Sequence, residues 1–209
     1  MSDSNAAKTT APPSAAEQRA SARLGGLLFR NRSWLPVPFL LVAVLVPAHP
    51  SAGQWIVGAL LVVAGEGVRI AGVAAAGTVT RRRSRNVQRL VDYGIFAWVR
   101  NPLYVGNFLA WMGFVTISGV LWFLPVAIVL FAVEYALIVA YEEGVLESIF
   151  GDEYLAYKRR TSRWIPRPPA KAPNGPHDWG EAWRSEVSTF FAYAALVAVF
   201  AAKQIFWRG

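Results

Sequence analysis

QWIVGALLVVAGEGVRIAGVAAAGTV, residues 54–79, is followed one residue later by RRRSRNVQR, residues 81–89. Only Glu66 and Arg69 are charged in the first stretch, and the second is dominated by arginine. A helix needs about 20 mostly apolar residues to cross a hydrocarbon core of roughly 30 Å. The first stretch is long enough to cross, and the second must stay in water beside it.

Working outward, His49–Gly53 reads as a turn, and a shorter apolar span lies before it at residues 34–48. Downstream, 104–118 and 121–141 are joined by Gly119 and Val120, with Pro125 nearby, which predicts a tight helical hairpin. Residues 142–186 are polar and proline-bearing, and a fifth span covers 187–205. Arginine and lysine mark alternate connections. Arg19, Arg23, Arg30 and Arg32 precede the first span. Arg81, Arg82, Arg83, Arg85, Arg89 and Arg100 lie between the second and third, and Lys158, Arg159, Arg160, Arg163 and Arg167 between the fourth and fifth. Residues 49–53 and 119–120 carry none. By the positive-inside rule the N-terminus is cytoplasmic and the C-terminus outside, in a bacterial-type inner membrane, plasma membrane or equivalent. The expected fold is all-α: a polytopic membrane helical bundle of about five transmembrane helices.

Composition agrees. Of 209 residues, 55% are hydrophobic and 16% charged, where soluble domains sit nearer 45–50% apolar. Nine Trp and seven Tyr suit headgroup-level rings. The net charge of +8 lies beside apolar spans, so it reads as topology and anionic-lipid contact, with no nucleic-acid partner. The absence of Cys excludes disulfides, thiolate catalysis and Cys-based zinc sites. His49 and His177 stand far apart, and no metal site is expected. Residues 1–22, rich in Ala, Ser, Thr and Pro, read as a disordered tail and not as a signal peptide. Residues 23–33 read as a short interfacial amphipathic segment. The core is 23–168, a linker covers 169–186, and 187–209 adds the last helix. Gly67, Ala71 and Ala75 share one helical face, as do Ala194, Ala198 and Ala202. Such faces serve close packing within the chain or a homodimer.

Two polar segments stand out. Gly94–Gly106 opens the third span. There Asn101 is a candidate N-cap and Pro102 suits the first helical turn. The free N–H groups of such a helix start can receive an anion. Tyr104 adds a ring and a hydroxyl, and Gly106 allows close approach. The same residues also describe an ordinary capped helix start. In the second segment, Glu142 and Glu143 end a long apolar helix, where acidic side chains are unfavourable unless a nearby Arg or a ligand ammonium offsets them. Tyr154, Tyr157, Lys158, Arg159 and Arg160 follow as an aromatic and basic patch, which also suits an interfacial belt. A hairpin of the third and fourth spans brings both segments to one rim. Glu66 and Arg69, three residues apart, are expected to pair. Glu134 has no local partner, and an intramembrane charge is costly.

These elements resemble the isoprenylcysteine carboxyl methyltransferase-like membrane methyltransferases, which include phospholipid N-methyltransferases. That family carries G-x-Y/F-x-x-x-R-H-P-x-Y-x-G, then E-E, then F-G-x-x-Y-x-x-Y-x-x-R and a proline-bearing stretch. Here these read Gly94…Arg100-Asn101-Pro102-Leu103-Tyr104-Val105-Gly106, Glu142-Glu143, Phe150-Gly151-Asp152-Glu153-Tyr154…Tyr157-Lys158-Arg159-Arg160, and Trp164-Ile165-Pro166-Arg167-Pro168. The likeness covers roughly residues 55–168. Asn101 replaces the family's usual His; it can hydrogen-bond but cannot act as a base near neutral pH.

The resemblance implies S-adenosylmethionine as cofactor, in a pocket at the cytoplasmic face lined by Arg100, Asn101, Pro102, Tyr104 and Gly106. Glu142 and Glu143 would lie near its ammonium and ribose. Arg160 and Glu143 are the catalytic candidates, and Glu134, Tyr157 and Arg160 the substrate candidates. The soluble route is absent, since Gly65-Glu66-Gly67 lies inside an apolar span with Ile70 where a third glycine is needed. The implied partner is a membrane lipid or lipidated, prenylated substrate, methylated on carboxyl oxygen or amine nitrogen. A non-catalytic or reductase/isomerase-like protein with the same fold is the alternative.

Overall fold

A computed structural model describes residues 15–31, 34, 36–77, 89–170 and 172–206, with side chains from residue 23 onward. The arginine run at 81–85 lies outside the described residues, as does the tail before residue 15. The described residues are helical: α1 (Ala15–Asn31), α2 (Pro36–Leu45), α3 (Ala52–Ala76), α4 (Pro102–Ser118), α5 (Leu124–Phe150), α6 (Asp152–Arg160) and α7 (Trp179–Phe206). Short 3-10 turns at Gly94–Ala97 and Leu121–Phe123 precede α4 and α5. Helix α1 starts inside the segment read as a tail. Its Ala-Ala-Glu-Gln-Arg-Ala sequence cannot build a core, but each residue favours a helix locally.

Helices α3, α7 and the run Leu121–Phe150 are long and apolar enough to cross a membrane. A fourth crossing exists if Arg23–Asn31 and Pro36–Leu45, bent by 55°, act as one. The sequence-based count of five includes α4 as well. The difference lies in α4, whose 17 residues span only about 25 Å at 1.5 Å each. Its second half, Met112–Ser118, is buried, so it is a core helix wrapped by the others.

Local chemistry sets the boundaries. Ser51 and Gln54 form a capping box at the start of α3, with Ser51 N–H donating to Gln54 Oε1 at 2.6 Å and Gln54 N–H to Ser51 Oγ at 3.2 Å. Helix α4 stops at Gly119, whose φ of 82° suits glycine and where a Cβ would lie 3.0 Å from Pro50 N.

Helices α3 and α4 pack antiparallel along two reciprocal glycine contacts. A Cβ on Gly65 would lie 2.5 Å from Gly106 O, and one on Gly106 would lie 2.5 Å from Gly65 O. Gly58 and Gly113 repeat the arrangement seven residues away on each helix, at 2.7 and 2.6 Å. Gly67, expected on the packing face, is exposed with nothing near it. Ala194, Ala198 and Ala202 of α7 are likewise exposed. Helix α7 packs instead through Ala182, Glu186, Tyr193 and Phe200, the last two against Phe114 of α4. Near its end Lys203 Nζ donates to Ala43 O at 2.7 Å and Ser118 O at 3.2 Å, joining α2, α4 and α7. Outward-facing Ile56, Leu60, Val63, Val129, Val133, Val187 and Phe191 present an apolar exterior, as a bundle in lipid requires.

Candidate functional site

The hairpin of α4 and α5 brings the two polar segments together. The start of α4 reaches the end of α5, and the chain after α6 closes over both. Glu143, 3% exposed, is the centre. Its Oε1 accepts from Arg100 Nε at 3.2 Å, Arg100 Nη2 at 3.1 Å and Arg163 Nε at 3.1 Å. Its Oε2 accepts from Arg163 Nη2, with Lys158 Nζ 3.9 Å away. The cation that the acidic helix end required is thus supplied by the protein. A buried carboxylate is tolerated only when paired and hydrogen-bonded this way.

Arg100 does more than neutralise. Its Nη1 donates to Lys158 O at 2.8 Å and Thr161 O at 2.6 Å, and its backbone N–H to Ser162 O at 2.8 Å. Arg167 N–H donates to Trp98 O at 3.0 Å, so residues 162–167 run beside 98–100. Asn101 occupies the N-cap position of α4 without a side-chain cap. Its Nδ2 instead donates to Arg163 O at 3.2 Å, tying the helix start to that loop. The expected cap, which would use Oδ1 as acceptor, is not formed.

Tyr104 is buried against Tyr135, with ring centroids 4.7 Å apart, and Tyr135 stacks on Phe131 at 4.0 Å. Trp164 packs against this cluster. Pro102 is buried. Gly106 lies at the α3 contact, facing Gly65 and Arg69. Glu142 is partly buried beside Glu143 and engaged in interactions of its own. Glu134 precedes Glu143 by nine residues, about two and a half turns, so it sits on the opposite side of α5.

Tyr157 donates to Phe96 O at 2.8 Å. Burial raises its phenol, and that of Tyr154, above the ordinary tyrosine range, so both stay protonated. Arg160 pairs with Asp92 and covers the Tyr157 ring at 5.4 Å. No bond joins Arg160 to Glu143. The residue that reaches Glu143 from this loop is Arg163, which sequence reasoning counted only as a topology charge. The unmet cation beside Glu143 was the signal that could have found it.

An apolar cavity of about 370 Å³ lies next to this cluster, lined by Val68, Ile95, Trp98, Val99, Val105 and Pro166. It is walled by α3, the 3-10 turn, α4 and the loop after α6.

The model of the phospholipid methyltransferase family matches residues 54–153. The cobalt-zinc-cadmium resistance protein CzcN of Cupriavidus metallidurans is 31% identical over 150 residues, 70% of this chain and 69% of that one. The chain belongs to the phospholipid methyltransferase family. Within this family likeness, human protein-S-isoprenylcysteine O-methyltransferase is 34% identical over 123 residues, covering 53% of this chain but only 40% of that protein. The nickel-cobalt-cadmium resistance protein NccN of Alcaligenes xylosoxydans xylosoxydans is 29% identical over 151 residues, 71% of this chain and 70% of that one. No solved structure matches. The family segment runs from the start of α3 into α6 and stops before Arg160, Arg163 and α7. Family and apolar helices together make this an integral membrane protein.

Proposed function

We propose that this family member transfers a methyl group from S-adenosylmethionine to a lipid or lipidated substrate, on a carboxyl oxygen or an amine nitrogen, at the cytoplasmic face. The observation that carries the reading is the convergence of two distant segments on buried Glu143. Arg100–Tyr104 and Glu142–Arg163 are separated by a whole helical hairpin, yet meet there.

The residues suit the cofactor. Side chains of Arg163 and Lys158, 40% and 28% exposed, keep an open edge while facing Glu143. A carboxylate can bind that edge without uncovering the buried charge. Glu142, partly buried beside Glu143, offers an acceptor for an ammonium or a ribose hydroxyl, Glu143 holds the arginines in place, and the buried Tyr104–Tyr135 pair backs the site. When bound, S-adenosylmethionine supplies an electrophilic methyl on a sulfonium. The protein's own part is to align acceptor and methyl and to exclude water. Arg100 fixes the loop that does so. Asn101 positions Arg163 and moves no proton. The apolar cavity beside Arg100 suits a hydrocarbon chain, with the reacting headgroup toward Arg163. Arg160 and Tyr157 support the substrate side, and Glu134, across α5, lines lateral entry from the bilayer. A carboxylate acceptor needs no base.

Two relatives are named for metal resistance. That reading finds no support in this chain, which lacks Cys and, among the described residues, has no group of three His, Asp or Glu placed to hold an ion.

Calorimetric titration of the purified protein with S-adenosylmethionine and S-adenosylhomocysteine tests the reading. Binding that weakens at least tenfold in Tyr104→Leu and in Arg163→Gln is expected. Wild-type protein that binds neither compound in detergent or nanodiscs excludes methyl transfer from this cofactor.

A further inference from the structure

Lys203 lies near the end of α7 and is 7% exposed. Its ammonium donates to Ala43 O at 2.7 Å and to Ser118 O at 3.2 Å. Both carbonyls belong to the last turns of their helices, α2 and α4, where carbonyls lack a partner within the helix and carry partial negative charge. They take two of the three N–H donors of Lys203 and leave its net charge in place.

Arg69, also inside the bundle, is met differently. It pairs with Glu66, as their spacing predicts, and with Glu186 of α7, each at 3.0 Å. Among the described residues no carboxylate does the same for Lys203. The sequence has no Asp or Glu from residue 18 to 65, from 93 to 133 or from 187 to 209. Those stretches contain α2, the start of α3, all of α4, the start of α5 and the end of α7. The end of the bundle opposite Glu143 therefore holds a buried cation and no acidic side chain. A buried charge is tolerated when an opposite charge accompanies it, so this one calls for an anion from outside the chain.

Two observations say which anion. The first is depth. Lys203 follows Trp183 by 20 residues on α7, about 30 Å, the thickness of a hydrocarbon core. Exposed Trp183 suits one headgroup layer, which puts Lys203 at the other. The second is the groove that Lys203 lines between α2 and α7. It has a volume of about 460 Å³, and its other walls are Val44, Val199, Ala202 and Phe206. Such walls offer a small soluble anion nothing, but they bury an acyl chain.

We propose that an anionic phospholipid of the bilayer leaflet on that side occupies the α2–α7 groove, its phosphate on Lys203 and an acyl chain along Val44, Val199, Ala202 and Phe206. The lipid completes the third bond of Lys203 and neutralises it, so it ties the ends of α2, α4 and α7 together. It is a bound partner of the fold, at the far end of the bundle from Glu143 and its arginines.

Native mass spectrometry of the full chain, equilibrated with phosphatidylglycerol or phosphatidylcholine, tests this. Wild type should bind one phosphatidylglycerol roughly tenfold more tightly than phosphatidylcholine. Ala202→Trp fills the groove and leaves Lys203 with both carbonyls. Lys203→Gln keeps an N–H donor and removes the charge. Each should weaken that one phosphatidylglycerol roughly tenfold. Phosphatidylglycerol held by the arginine-rich loops is common to all three proteins and leaves the difference untouched. If Lys203→Gln fails to fold, Ala202→Trp decides alone. Equal binding of the two lipids by wild type overturns the proposal, and so does phosphatidylglycerol binding unchanged in Ala202→Trp. Displacement of the lipid by inorganic phosphate at the same concentration overturns it too, since the site would then take a soluble anion.

Discussion

Arg100 and Arg163 both touch Glu143, yet they differ in what else they hold. Arg100 is 9% exposed and also satisfies two backbone carbonyls. Replacing it by Gln leaves those carbonyls and part of Glu143 unpaired, an expected loss of about 3–5 kcal/mol of stability. Arg163 is 40% exposed at the side chain, so Arg163→Gln should cost no more than about 1 kcal/mol while still weakening cofactor binding. Thermal unfolding of the two variants in one detergent checks the order; a larger loss for Arg163 would move the keystone of the site to the loop. Glu143 was legible from sequence because an acidic pair at a helix end demands a cation. Arg163 was not, because the register of residues 161–167 against 98–100 depends on backbone bonds such as Arg100 N–H to Ser162 O, which leave no side-chain pattern.

At the level of elements, the existence of the helices was readable and their facing was not. In water a helix declares its buried side by polarity. In α3 both the lipid side and the core side are apolar, so only size separates them. Gly58, Gly65 and Gly72 recur every seven residues, and Gly106 and Gly113 answer on α4; the four-residue run through Gly67 was the wrong series. One substitution at two sites makes the test. Gly65→Ala places a Cβ 2.5 Å from Gly106 O and should destabilise by about 1–3 kcal/mol through the forced separation of α3 from α4. Gly67→Ala meets nothing and should stabilise by up to about 1 kcal/mol through helix propensity. Equal losses at both positions, measured as thermal midpoints, would mean that α3 presents a different face.

For the whole molecule, orientation and the standing of α7 are the open quantities. The chain has no Cys, so single cysteines report without background. Trp122 and Ile165, 63% and 70% exposed, lie at opposite ends of α5 and its following loop. With the arginine-rich loops cytoplasmic, an impermeant thiol reagent applied outside intact cells should label Trp122→Cys and spare Ile165→Cys. The reverse pattern inverts the proposed topology. Helix α7 follows from a different balance. It lies beyond the family segment, and sequence reading treated it as an appendage. Yet it buries Ala182 against Ile70, Val73 and Ala74 and packs Phe200 and Tyr193 on Phe114. It also closes polar bonds at both ends, Glu186 to Arg69 and Gln204 to Trp55 Nε1 and Pro50 O. In lipid, helices associate through such packing and hydrogen bonds, not through a hydrophobic drive. Removing α7 therefore leaves Phe114 and the Gly-lined α3–α4 pair without their close-packed partner, and leaves the carbonyls of Ala43 and Ser118 without Lys203. A chain ending at Asp178 should fail to accumulate as folded protein, although the α4–α5 site is intact. Co-producing residues 179–209 as a separate helix should restore it, because insertion and association are independent steps for a spanning helix. A stable, cofactor-binding 1–178 chain would instead return α7 to the role of an appendage.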